Sequence, residues 1–192
     1  MANGRVITGF SKPYVALYAE SSGTISYSSG IALARGVEVS VEVETSEDNN
    51  FYADNIVAET AAGAFTGGTA TLTVDGLKDA ARKLILGLPA ATGGWTAFGD
   101  EMSIPYVGIG FVVRYMEAGT TTYMPVVLKK ALFSVPNISA ATQAEEIDWQ
   151  TEELTAKLFR DDSANHDWML KGDAQTTEAL AEAPIKTLFG IS

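Results

Sequence analysis

The 192-residue chain contains no cysteine. Disulfides, thiolate nucleophiles and cysteine-ligated metals are therefore excluded. Histidine is almost as scarce, with His166 alone. A His-rich zinc site is excluded on that count, and a carboxylate-only zinc site would be unusual. Basic residues are few: 13 Lys and Arg stand against 24 Asp and Glu, for a net charge of −11. A free-standing sequence-reading DNA-binding domain carries the opposite sign. An anionic membrane surface would repel such a chain. Long apolar runs are also missing. The run Val107–Val113 falls far short of the roughly 20 residues that a membrane helix needs. Met1–Val6 has no basic stretch leading into an apolar one, so no signal peptide is expected. The expectation is a soluble protein made inside the cell.

What is present is enough for one packed domain. Apolar residues make up 46% and charged residues 19%, the balance of a globular chain rather than a disordered one. Strand patterns dominate. In Gly36–Glu44, Val37, Val39, Val41 and Val43 alternate strictly with Glu38, Ser40, Glu42 and Glu44, which gives one apolar and one acidic face. Thr45–Asn50 is polar and predicts a loop at a hairpin tip, with Phe51–Thr60 as the returning strand. Thr69–Val74 predicts another strand. The Asp75-Gly76 turn leads into a helix whose face carries Leu77, Ala81, Leu84, Ile85 and Leu88, ended by Gly87 and Pro89. Tyr106–Glu117 and Thr121–Phe133 predict a long hairpin around Ala118-Gly119-Thr120. Ile147, Trp149 and Thr151 begin a further alternating strand that Leu154, Ala156 and Leu158 continue. Asp161–Asp167 predicts a polar turn, Trp168–Leu170 a short apolar segment, and Thr176–Ala183 a last short helix before Pro184. The expected fold class is α+β, mainly β: a sandwich or barrel with one flanking helix.

Motifs that would carry chemistry are weak. A Ser-His-Asp arrangement has only His166 to use, and Asn165 and Asp167 beside it argue for a turn histidine. No Gly-x-Ser-x-Gly elbow occurs. Gly108-x-Gly110 is followed by Val113 where a dinucleotide fingerprint requires glycine, and it sits inside a strand. Asp161, Ser163, Asn165 and Asp167 have the spacing of a calcium loop, but the sixth position is His166 and the twelfth Gly172, so both defining features are missing. Nothing selects a pair of carboxylates for glycoside hydrolysis, and Trp95, Trp149 and Trp168 are scattered. No catalytic residue, metal or cofactor is expected, and the chain reads as a non-enzyme.

The acids are more informative. From Gly36 to Leu77 there is no Lys or Arg, while Glu38, Glu42, Glu44, Glu47, Asp48, Asp54, Glu59 and Asp75 all fall there. A surface shaped only for solubility mixes both signs. An ordinary solvated sheet face is one explanation; a field that repels a polyanion is the other.

These segments together resemble the major tail protein, or tail tube protein, of long-tailed bacteriophages, of the siphophage type that infects Gram-positive hosts. The resemblance rests on Val37–Glu44, then Asn49–Asn55 with Glu59, Thr71–Leu77 leading into a helix, Val107–Phe111, Val126–Leu128 and Trp149–Thr151, in that order over roughly residues 1 to 170. It implies a tail-tube-type β-sandwich or barrel with a long β-hairpin, as a single domain over residues 1–192. Residues 1–12 would form an N-terminal arm and 172–192 a C-terminal extension, without the immunoglobulin-like module that many relatives carry at the C-terminus. It implies a structural virion protein, made in the host bacterial cytoplasm, whose hexameric rings stack into a hollow tube. The implied partners are the chain itself, a tape measure protein in the lumen, tail terminator and distal tail proteins at the ends, and DNA in transit without specific binding; no membrane is implied. Within that frame Glu38, Ser40, Glu42 and Glu44 are expected to line the lumen. Thr45, Ser46, Glu47, Asp48, Asn49 and Asn50 are expected to form the ring-stacking loop. The alternatives are another β-sandwich tail, secretion-tube or adhesion component, and a small carbohydrate-binding or hydrolytic sandwich.

Overall fold

The computed structural model describes residues 4–138, 142 and 149–191. Ten strands and two helices follow one another as β1 (Val6–Ser21), β2 (Thr24–Ala32), β3 (Gly36–Thr45), β4 (Asn49–Ala53), β5 (Ile56–Ala61), β6 (Phe65–Val74), α1 (Asp79–Leu86), β7 (Val107–Glu117), β8 (Thr120–Phe133), β9 (Glu152–Phe159), β10 (Met169–Lys171) and α2 (Glu178–Phe189). The main sheet is antiparallel, in the order β2-β1-β7-β8-β9-β6-β3, with β10 also on β8. β4 and β5 form a separate hairpin. The expected mainly β, α+β class is what the structure has, with two helices rather than one.

The sheet is curved, and its concave face holds the larger core. Val15, Ile109, Phe111, Leu128, Phe133, Leu72, Leu154 and Leu158 meet there from five strands. α1 closes this core with Ala81, Ile85 and Leu86, and Gly87 ends the helix in the left-handed conformation. The two margins of the sheet approach without pairing: the Phe10 ring of β1 occupies the space a Cβ on Gly36 of β3 would need. Among the described residues the ladder does not close into a barrel.

β9 and β10 lie on the same edge of β8. Phe159 pairs with Lys130, the Trp168 carbonyl accepts from the Lys129 amide, and Met169 pairs with Leu128. The expected polar turn at 161–167 is thus an excursion out of one nearly continuous strand. It is held by the buried Asp161, whose carboxylate pairs with the Lys129 ammonium and accepts from the Ser163 hydroxyl at 2.7 Å. Burial opposes ionisation of Asp161, but those two donors prevail and hold its carboxyl below the usual range. His166 stands at the end of this turn with φ of 54° and its Nδ1 3.2 Å from the Asp161 carbonyl oxygen. It is a turn histidine.

The convex face of β1, β7 and β8 carries a second core, with Tyr14, Ala16, Val112 and Val127 beneath Ala181, Ile185 and Phe189 of α2. Within the expected C-terminal extension at residues 172–192, Glu178–Phe189 thus form a helix packed on the sheet. The helix does not stop before Pro184; it runs through it. A proline inside a helix costs about 3 kcal/mol. Burying Ile185 and Phe189 beyond it returns about 1.5–3 kcal/mol each, which tips the balance toward continuing. Gly108 and Gly110 make room for this helix. A Cβ on Gly110 would lie 2.5 Å from Ile185 Cγ2, and one on Gly108 would lie 2.5 Å from Tyr27 Cε1. Packing accounts for the Gly-x-Gly motif.

Of the expected arm at residues 1–12, residues 1–3 lie outside the described residues and residues 6–12 lie in β1. Val6, Ile7, Gly9, Phe10 and Ser11 belong to β1 and pair with β7. The expected strand around Ile147 lies partly outside the described residues; its continuation is β9.

Candidate assembly surfaces

The acidic face belongs to an edge strand. β3 pairs with β6 through Glu38–Thr73, Ser40–Thr71, Glu42–Thr69 and Glu44–Gly67. β6 in turn pairs with β9 through Thr73–Glu153, Thr71–Thr155 and Thr69–Lys157. Side chains alternate along each strand, so these residues share one face of three neighbouring strands. Glu38, Ser40, Glu42 and Glu44 are all exposed. The face is hydroxyl-rich in the middle and acidic along β3, and Lys157 is its cation. On the opposite face the structure is less uniform than the sequence pattern. Val39 and Val41 pack against the core, whereas Val37 and Val43 remain 56% and 47% exposed. The ends of β3 reach past the elements that would cover them.

The expected ring-stacking segment does not form a hairpin tip. Thr45 is the last residue of β3, residues 46–48 connect, and Asn49 and Asn50 already belong to β4. Phe51–Thr60 is not one returning strand but most of a hairpin of its own, turned at Asp54-Asn55. Both turn residues have positive φ, 50° and 66°, the tight two-residue geometry whose twist matches antiparallel strands. The Asp and Asn side chains tolerate that conformation better than other residues. Three bonds splice this hairpin onto the β3–β6 ladder. The Ser46 amide donates to the Ala64 carbonyl at 2.9 Å, the Ala64 amide to the Ser46 hydroxyl at 3.0 Å, and the Gly63 amide to the Asp48 carboxylate at 2.8 Å. Gly63 has to be glycine, because a Cβ would fall 1.8 Å from the Ser46 carbonyl oxygen.

Every residue of β4 and β5 is exposed. Phe51, Tyr52 and Ile56 are 63%, 62% and 67% accessible. A two-stranded hairpin is marginally stable alone in water, and these three side chains have no core of their own to enter. The sequence reading missed them as a surface; the signal was the Asp-Asn pair between short apolar runs.

Two sheet margins are open as well. β2 and β3 end the pairing order, and β2 reaches along β1 only to Tyr14, so Val6–Ser11 pair with β7 alone among the described residues. Val6 and Ile7 are exposed there. Such edges are a route to pairing between copies.

The α2 contact is the opposite case, because its polar groups are matched. Tyr14 donates its hydroxyl to the Glu182 carboxylate, and Ser11 donates to Glu178. Lys186 lies 3.0 Å and Lys12 3.8 Å from Glu182. Burial disfavours the Glu182 charge, yet Tyr14 and the two lysines hold its carboxyl below the ordinary range. Burial, then the Glu182 carboxylate, raises the Tyr14 hydroxyl. Tyr18, half-buried and donating to Asp162 at 2.8 Å, is pushed up to about 12.

Among the described residues, no three His, Asp or Glu side chains gather to hold a metal. No helix among them is long and apolar enough to cross a membrane. The chain matches no protein-family model and no curated protein.

Proposed function

We propose that the chain is a structural subunit of a phage tail tube, assembling into hexameric rings that stack around a hollow lumen. One observation carries this reading: the Asn49–Ala61 hairpin projects from the sheet with its apolar side chains uncovered. The resemblance supplies the class of assembly, and the surfaces supply the means. Open margins on β2 and β3 allow neighbouring copies to extend one another's sheets by main-chain hydrogen bonds. The hairpin, rather than residues 45–50 alone, is the element that bridges rings.

Six chains of net −11 repel one another, so apolar contact and edge pairing have to drive the association. The same charge suits a lumen. Exposed Glu38, Glu42 and Glu44 with Ser40 form a wall that does not bind phosphate, whereas a basic wall would hold DNA through counterion release. Screening over about 8 Å confines the effect to the wall, which is where a passing strand would stick. A tape measure protein and then DNA are the proposed occupants, terminator and distal tail proteins the proposed end partners, and the virion the proposed location. Negative-stain electron microscopy of the concentrated protein, with light scattering beside it, tests the proposal. Six-fold rings or tubes are expected. A monomer at every concentration and ionic strength, or rings carrying the β3 carboxylates on their outer wall, would overturn it.

A further inference from the structure

Three charged side chains are buried among the described residues: Lys129, Asp161 and Glu182. Glu182 is matched beneath α2 by Tyr14 and two lysines. The other two meet one another. Lys129 stands on β8, where its amide donates to the Trp168 carbonyl, and Asp161 opens the turn that follows β9. The backbone of that turn holds Asp161 in place, because its amide donates to the Asp167 carbonyl at 3.0 Å.

The two carboxyl oxygens of Asp161 are not equivalent. Oδ1 accepts from the Ser163 hydroxyl at 2.7 Å and from the Ser163 amide at 3.3 Å. Oδ2 lies against Lys129 Nζ, yet it is buried and has no hydrogen-bond partner among the described residues, Lys129 included. The nitrogen thus reaches the carboxyl group without the alignment of a hydrogen bond. A buried ion pair repays its desolvation only when that alignment is good. A third group completes the cluster: the half-exposed Asp167 carboxylate accepts from the same Nζ at 3.4 Å.

We propose that Lys129 and Asp161 condense to an amide, an isopeptide cross-link between β8 and the 161–167 turn. The ion pair is the starting state, and the reaction needs no oxidant and no second substrate. One proton passes from the ammonium to Oδ2; burial lowers the cost of this neutral pair relative to two charges. The freed amine adds to Cγ, forming the C–N bond while the π electrons of the carbonyl move onto Oδ1. The Ser163 hydroxyl and amide already point at Oδ1, where that charge develops. Asp167 takes a second proton from the nitrogen and passes it to Oδ2, which leaves as water as the Cγ–Oδ1 double bond re-forms. Of the three ammonium protons, two depart in the water and one stays on the amide. The bond closes once, without turnover. It supplies a covalent brace in a chain that has no cysteine for a disulfide, and it stands apart from the tube reading.

Mass spectrometry of the purified chain tests this. The intact native chain should weigh one water less than its sequence. A digest should contain a branched peptide in which Lys129 Nζ carries the Asp161 side chain. The branch separates the cross-link from a succinimide, which loses the same water within a single peptide. Lys129→Arg keeps the positive charge and Asp161→Ala removes the carboxyl; both should have their full sequence mass. Asp167→Asn should be purified largely at full mass and lose its water slowly, since a positioned acid–base group contributes about a hundredfold or more. A native chain at full mass, a water loss without the branched peptide, or a loss that persists in Lys129→Arg would overturn the cross-link. An Asp167→Asn chain that is cross-linked as completely as the native one when first sampled would overturn the role given to Asp167.

Discussion

α2 and the β4–β5 hairpin are both attached to the same sheet, and their chemistry is resolved in opposite ways. α2 buries Ala181, Ile185 and Phe189 on a face where Gly108 and Gly110 leave space for them. Its buried carboxylate, Glu182, is matched by Tyr14, Lys12 and Lys186. The hairpin exposes Phe51, Tyr52 and Ile56, and the stretch that contains it has no Lys or Arg at all. α2 satisfies its inward face and its buried carboxylate within the chain, and only Leu180 and Leu188 of its large apolar side chains stay exposed. The hairpin has its apolar contacts left over. Substitutions in α2 should therefore act on the stability of a single chain, and substitutions in the hairpin on association.

The largest effect on stability should come from Phe189→Ala. It removes a fully buried aromatic side chain and should cost about 3–5 kcal/mol, read as a lower urea midpoint. Phe51→Ser should move that midpoint by no more than about 0.5 kcal/mol while abolishing sedimentable assemblies. Equal stability losses from the two would erase the contrast. Gly110→Ala should follow, at about 1–3 kcal/mol, because the new methyl meets Ile185 and Phe189. Thr177 caps α2 by accepting from the Leu180 amide at 3.3 Å, and Thr177→Ala should cost about 1 kcal/mol. The smallest effect concerns pH. The folded pKa of Glu182 lies below its unfolded value, so the native state binds fewer protons. That contribution is complete above the unfolded value of about 4.3 and is lost as pH falls through the lower folded pKa. Glu182→Gln should flatten this part of the acid-unfolding profile, followed by circular dichroism as the pH is lowered.

Much of the strand framework was legible in the sequence where burial was one-sided. β3, β6, β9 and the β7–β8 hairpin all follow alternation or a turn signal. β1 and β2 were not legible. Tyr14, Val15 and Ala16 are buried in succession because the concave core and α2 cover the two faces of β1, and burial on both faces removes alternation. The ladder also shifts register between Ser11 and Tyr14, where Lys12 has φ of 56°. α2 was cut short at Pro184, because local propensity does not register the pull of Ile185 and Phe189 on the sheet. At the candidate surfaces, the exposure of Glu38, Ser40, Glu42 and Glu44 followed from period two alone. The projecting hairpin did not, since a polar linker and a tight Asp-Asn turn look alike until the pairing of Phe51 with Glu59 is known.

Hydrogen–deuterium exchange of the amides in Asn49–Ala61, compared between dilute chains and the concentrated assembly, tests most directly whether the hairpin is the element left for a partner. Those amides should slow by at least about tenfold on assembly, as expected when an exposed hairpin gains a packed surface, while the amides of α2 exchange equally in both states. Assemblies in which the hairpin exchanges as fast as it does in the dilute chain would contradict the account.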